Sequence, residues 1–187
     1  MEVTLFSIPL GLIVVFGLRL IVPLAIFRWP FWGALASLIV DALDTNIAKP
    51  FGVEIPNYVQ TDKLLDTYYL TIELIVSLGW VNKLARNTSI GLYFWRLAGL
   101  AAFEITKGEY WLFIAPNLFE NFFIFFAFWQ VIGKETPKMF WLNSYKKLGA
   151  VLLLLWLPKI PQELILHVWK VRAPVEAFFG WVNGLLR

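Results

Sequence analysis

The stretch DALDTNIAKPFGVEIPNYVQTDKLLD, residues 41–66, holds every aspartate of this 187-residue chain: Asp41, Asp44, Asp62 and Asp66. Carboxylates grouped in this way can do two kinds of chemistry. They can gather hard divalent cations, or one of them can take a proton from a nucleophile. Asp41 and Asp44 are three residues apart and share one helix face, and Asp62 and Asp66, four apart, share another. Asp44 lies five residues before Lys49, and Asp62 lies five after Asn57. In an antiparallel helix pair rising ~1.5 Å per residue, those two carboxylates reach about the same depth, and Asp41 and Asp66 form a second matched level. Four carboxylates then converge in one pocket.

Such a cluster is costly in an apolar setting. A carboxylate near the middle of a membrane helix costs ~2.5–3.5 kcal/mol on insertion scales, and clustered like charges repel. Only two basic side chains, Lys49 and Lys63, are close in sequence. One or two divalent cations are the simplest remedy, and Mg²⁺ or Mn²⁺ suits carboxylate oxygens while leaving positions open for phosphate. The alternative is that some of these aspartates cap helices or sit in wet loops, Asp62 near a helix start above all.

The elements that must position the cluster follow from composition. The chain is 59% hydrophobic and 16% charged, with ten Trp and seventeen Phe. That balance excludes an ordinary soluble domain and fits a polytopic membrane protein anchored by aromatics. The fold class expected is all-α: six transmembrane helices over residues 5–27, 30–49, 57–81, 88–107, 110–133 and 146–169, then a short C-terminal interfacial helix. Pro30, Pro50 and Pro56 punctuate the first three, and Pro158 and Pro161 should bend the sixth. The N-terminus starts acidic, lacks a basic leader and stays apolar too long for a signal peptide, so it reads as the first membrane helix. No repeat divides the chain, and residues 1–187 read as a single integral-membrane helical domain. Basic residues fall almost evenly on the two sides of the expected spans, so the positive-inside rule does not choose an orientation. With no Cys there is no thiolate chemistry, and without a Lys/Arg run there is no nucleic-acid footprint.

The aspartate spacing resembles the CDP-alcohol phosphatidyltransferase family, whose motif is D-x2-D-G-x2-A-R-x8-G-x3-D-x3-D. Here Asp41-x2-Asp44-Thr45-x2-Ala48-Lys49-x8-Tyr58-x3-Asp62-x3-Asp66 matches at all four Asp and the Ala without a gap. The family's glycines are replaced by Thr45 and Tyr58, and its arginine by Lys49. Arg19 and Pro23 in LRLIVP are similar to an Arg followed by a Pro in the family's first helix. The resemblance implies a six-helix membrane transferase of phospholipid biosynthesis and lipid metabolism. Its partners would be membrane lipids, a CDP-linked lipid such as CDP-diacylglycerol, and an alcohol acceptor. Asp41, Asp44, Asp62 and Asp66 would hold Mg²⁺ or Mn²⁺, with Asp66 also the catalytic base. Thr45, Ala48, Lys49 and Tyr58 would line the nucleotide and phosphate subsite, where the two side chains replacing glycine crowd a cytidine.

Other polar residues in apolar surroundings extend the candidate set. Arg96 is an expected lipid-phosphate contact, with Glu104 two turns on as an alternative ion-pair partner. Glu73, seven residues after Asp66, either extends the pocket or pairs with a buried base. Asn117, Glu120 and Asn121 form a polar patch that contacts an acceptor head group or ties helices together. His167 reads as interfacial. Two further readings stand beside the enzyme: a non-catalytic membrane subunit or scaffold that keeps the fold, in a homodimer or larger complex, and a prenyl-diphosphate transferase.

Overall fold

Pro23 sets the first bend. Lacking an N–H, it has nothing to donate to the carbonyl of Arg19, and the first helix, α1 (Leu10–Ile21), tightens there into a 3-10 segment, Val22–Phe27. Tyr68 Oη donates to the carbonyl oxygen of Leu20 at 3.0 Å, tying the bend to the third helix. The computed structural model describes residues 4–5, 8–51, 58–108, 110–132 and 144–159.

Pro30 then opens α2 (Pro30–Ala48), where a missing N–H costs nothing, and a short 3-10 turn, Lys49–Phe51, follows it. Gly33 allows α2 to lie directly on the 3-10 segment, since a Cβ there would stand 2.5 Å from the Ile26 nitrogen. Gly11 does the same for α1 against Phe51, whose Cβ would lie 2.7 Å away. These two close approaches hold α2 on the 3-10 segment that follows α1, and α1 on the turn that follows α2.

α3 (Tyr58–Ser77) carries Asp62 and Asp66. α4 (Lys83–Thr106) starts about a turn earlier than the expected span at 88, because Asn82 caps it by accepting from the Ala85 N–H at 3.0 Å. The expected span over 110–133 is broken in two, α5 (Tyr110–Ile114) and α6 (Leu118–Val131), at Pro116 and Asn117. α7 (Tyr145–Trp156) is capped by Ser144 and ends before Pro158. The far half of the sixth expected span, His167 and the C-terminal interfacial segment lie outside the described residues.

The architecture is all-α, apart from a two-residue antiparallel pairing of Thr4–Leu5 with Ile8–Pro9. The core is built on α6, which touches α2, α3, α4 and α7. Its Phe119, Phe122, Phe123 and Phe126 are wholly buried, and Trp80 packs on Phe126 with ring centroids 4.1 Å apart. Two helical stretches, Leu10–Phe27 and Tyr110–Val131, are long and apolar enough to cross a membrane. Large apolar side chains lie exposed around the bundle, among them Leu24, Trp29, Trp32, Ile39, Phe94 and Leu154.

Candidate metal centre

The four aspartates converge on one guanidinium. Arg19 Nη1 donates to Asp44 Oδ2 at 2.8 Å and to Asp62 Oδ1 at 2.9 Å, and Nη2 donates to Asp66 Oδ1 at 2.8 Å. Nη2 also forms an ion pair with Asp41 Oδ1, without the alignment of a hydrogen bond. The guanidinium therefore divides the carboxylates into Asp44 with Asp62 and Asp41 with Asp66. These are the two matched depths that the spacing of the motif describes.

Lys63 closes one side. Its Nζ donates to Asp62 Oδ2 at 2.8 Å and to Asp66 Oδ2 at 3.5 Å, so both oxygens of each α3 aspartate face a cation. Burial is uneven across the cluster. Arg19 and Asp44 are almost sealed at 4% and 2% exposure, whereas the side chains of Asp41 and Asp62 keep 26% and 15%. Access to the cluster is thus from the Asp41 and Asp62 side, with Arg19 at its base.

The donor set fits a hard divalent cation. One oxygen each from Asp41, Asp62 and Asp66 all lie within 4.8 Å of one another. Oxygens on opposite sides of an ion with bonds of about 2.0–2.4 Å are roughly 4–5 Å apart. Among the described side chains, four carboxylates stand against Arg19 and Lys63, leaving two formal negative charges. Arg19 was legible only as a base in an apolar helix near a proline, and nothing local in the sequence says that it reaches residues 22 to 47 positions away.

Ala48 is buried at the end of α2, and the side chains of Thr45, Lys49 and Tyr58 lie outside the described residues.

A second polar group packs beside the first, one turn along α3. Tyr69, three residues after Asp66, donates from Oη to Glu120 Oε1 at 2.5 Å, and Asn117 Nδ2 donates to Glu120 Oε2 at 2.8 Å. Glu73, one turn beyond Tyr69, is wholly buried, and neither of its oxygens has a hydrogen-bond partner among the described residues. The expected pairing of Glu73 with a buried base is not found among the described residues. Asn121 leaves this group and reaches Leu155 O of α7 at 3.5 Å. The polar patch of α6 thus ties that helix to α3 on one side and α7 on the other.

Arg96 does not pair with Glu104. Glu104 instead meets Lys107 at 2.5 Å on the exposed end of α4, and Arg96 Nη1 donates to the carbonyl of Ala115 at 2.8 Å. That oxygen sits where α5 stops short of Pro116, so Arg96 caps the broken helix. The Arg96 side chain also lines a small groove with Thr67, Leu70, Tyr93, Leu97 and Leu100, with room for about one water.

No protein-family model, no curated protein and no solved structure matches the chain.

Proposed function

We propose that the protein is a multi-pass membrane phosphotransferase of the CDP-alcohol phosphatidyltransferase type. It moves a substituted phosphate from a CDP-linked lipid, or a similar diphosphate donor, to an alcohol. The observation that carries this reading is the convergence of Asp41, Asp44, Asp62 and Asp66, from two helices, on a single point in the core. Asp41, Asp62 and Asp66 would hold Mg²⁺ or Mn²⁺, one ion or two, with Asp44 beneath them. When bound, the metal neutralises the donor's diphosphate and stabilises the departing CMP.

The chain's own residues supply the rest. Asp66 accepts the alcohol's proton as the alcohol oxygen attacks the lipid phosphate. Lys63, on the more open side, is placed to meet negative charge on the donor. A lipid donor needs a site reached from within a bilayer, and the exposed Leu24, Trp32, Ile39 and Phe94 suit six helices immersed in lipid. The test is release of CMP by the purified protein in lipid nanodiscs, given CDP-diacylglycerol, Mn²⁺ and a panel of alcohols. Metal-dependent release that Asp66→Asn abolishes supports the reading, and no release from any donor and alcohol pair counts against it.

A second reading is favoured by one observation, the position of Arg19. A guanidinium that already contacts all four carboxylates can serve as a permanent counter-ion in a non-catalytic subunit or scaffold. The replacement of both motif glycines by Thr45 and Tyr58 agrees with it.

A further inference from the structure

We propose that Arg19 is a built-in counter-cation that competes with divalent metal for the four-aspartate cluster, so that an ion enters only as the guanidinium yields. The inference rests on the metal-site part of the function proposed above and concerns its regulation.

The competition follows from which residues are shared. Arg19 takes one oxygen from each aspartate: Asp44 Oδ2, and Oδ1 of Asp41, Asp62 and Asp66. A hard cation gathering Asp41, Asp62 and Asp66 draws on the same group of carboxylates, within a space 4.8 Å across. Guanidinium and metal would then be like charges a few ångströms apart in a site where Arg19 is 4% exposed, and so little screened. They oppose each other directly. Lys63 differs, because its Nζ meets only two of the four, Oδ2 of Asp62 and Oδ2 of Asp66.

Backbone geometry puts Arg19 where it can serve this role. It lies in the last α-helical turn before the 3-10 segment, and Pro23 gives its carbonyl no helical donor. The backbone around Arg19 is held by packing that does not involve the cluster: Gly33 against Ile26 and Tyr68 against the Leu20 carbonyl. Without metal, the guanidinium keeps four carboxylates together that would otherwise repel. With metal, the same charge raises the ion concentration needed for loading.

The experiment is a Mn²⁺ titration of the full-length protein in detergent, following free Mn²⁺ by electron paramagnetic resonance, for wild type, Arg19→Gln and Arg19→Lys. The expected result is roughly ten- to hundredfold tighter binding in Arg19→Gln, with Arg19→Lys closer to wild type because the charge is kept. Binding by a folded Arg19→Gln that equals or falls below wild type overturns the competition while leaving the metal reading intact. Binding by Arg19→Gln alone supports the competition and contradicts a metal-dependent wild-type enzyme. Binding by neither overturns both. If Arg19→Gln is unfolded without metal, its refolding on addition of Mn²⁺ supports the proposal, and failure to refold at any Mn²⁺ concentration overturns it.

Discussion

Arg19 and Asp66 stand 47 residues apart in the chain and meet in the core, Nη2 to Oδ1, at 2.8 Å. That contact joins the proline bend of the first helix to the last aspartate of the motif. It makes the cluster a property of three helices, α1, α2 and α3, where the motif itself spans two.

The charge balance around that contact is lopsided, and stability should report it. Removing Arg19 takes away the cation that meets all four carboxylates and leaves Lys63 on Asp62 and Asp66, whereas removing one carboxylate leaves Arg19 with three partners. In metal-free buffer Arg19→Met should cost about 3–5 kcal/mol, the range for breaking a buried ion pair, and Asp44→Asn less than half of that. Denaturant unfolding followed by tryptophan fluorescence checks the order. Equal losses from the two variants would mean that Arg19 is held by something other than the cluster.

The bend itself depends on a close helix approach. Gly33→Ala would put a methyl 2.5 Å from the Ile26 backbone nitrogen, which cannot move as a side-chain tip can. It should cost roughly 1–3 kcal/mol through overpacking. Gly17→Ala meets nothing within 4 Å and should be neutral or stabilising by up to about 1 kcal/mol. A melting comparison of the two variants decides it, and a harmless Gly33→Ala would refute the argument that this packing holds the backbone around Arg19.

Much of this was readable in the sequence, for identifiable reasons. The i, i+3 and i, i+4 spacings of the aspartates and the prolines flanking the α2–α3 connection are local signals. They indicated both the helices and the paired depths at which Arg19 Nη1 and Nη2 divide the carboxylates. The all-α class followed from composition. What was not readable is non-local. Arg19 meets the cluster through tertiary packing that no periodicity encodes, including the close approaches of Gly33 to the 3-10 segment after α1 and of Gly11 to Phe51. The break at Pro116 carried a local signal, but the apolar residues on both sides read as one continuous span. Arg96 showed only as a charge in an apolar helix, and its use on the Ala115 carbonyl depends on that break.

The second polar group separates two buried glutamates that look alike in sequence. Glu120 accepts from Tyr69 and Asn117, so Glu120→Leu strands two donors and should destabilise by about 1–3 kcal/mol. Glu73 has no hydrogen-bond partner among the described residues, so Glu73→Leu should be neutral or stabilising. Thermal unfolding of the two variants in the same detergent checks this. A large loss from Glu73→Leu would mean that its carboxyl is held by a group such as a bound ion.

The chain contains no Cys, which makes single-cysteine labelling clean. In vesicles, Leu24→Cys, Ile39→Cys and Phe94→Cys should resist a membrane-impermeant maleimide on both faces, and Lys107→Cys, at the exposed end of α4, should react from one face. Ready labelling of Leu24→Cys and Phe94→Cys would contradict a bilayer around the Val22–Phe27 segment and α4.

The most direct test of the central claim is a crystal of the protein soaked in Mn²⁺, measured at the manganese absorption edge. The account predicts an anomalous peak bounded by Asp41, Asp62 and Asp66, with Arg19 withdrawn from at least one of them. A cluster with no anomalous peak, and with Arg19 still in contact with all four aspartates at saturating Mn²⁺, would contradict it.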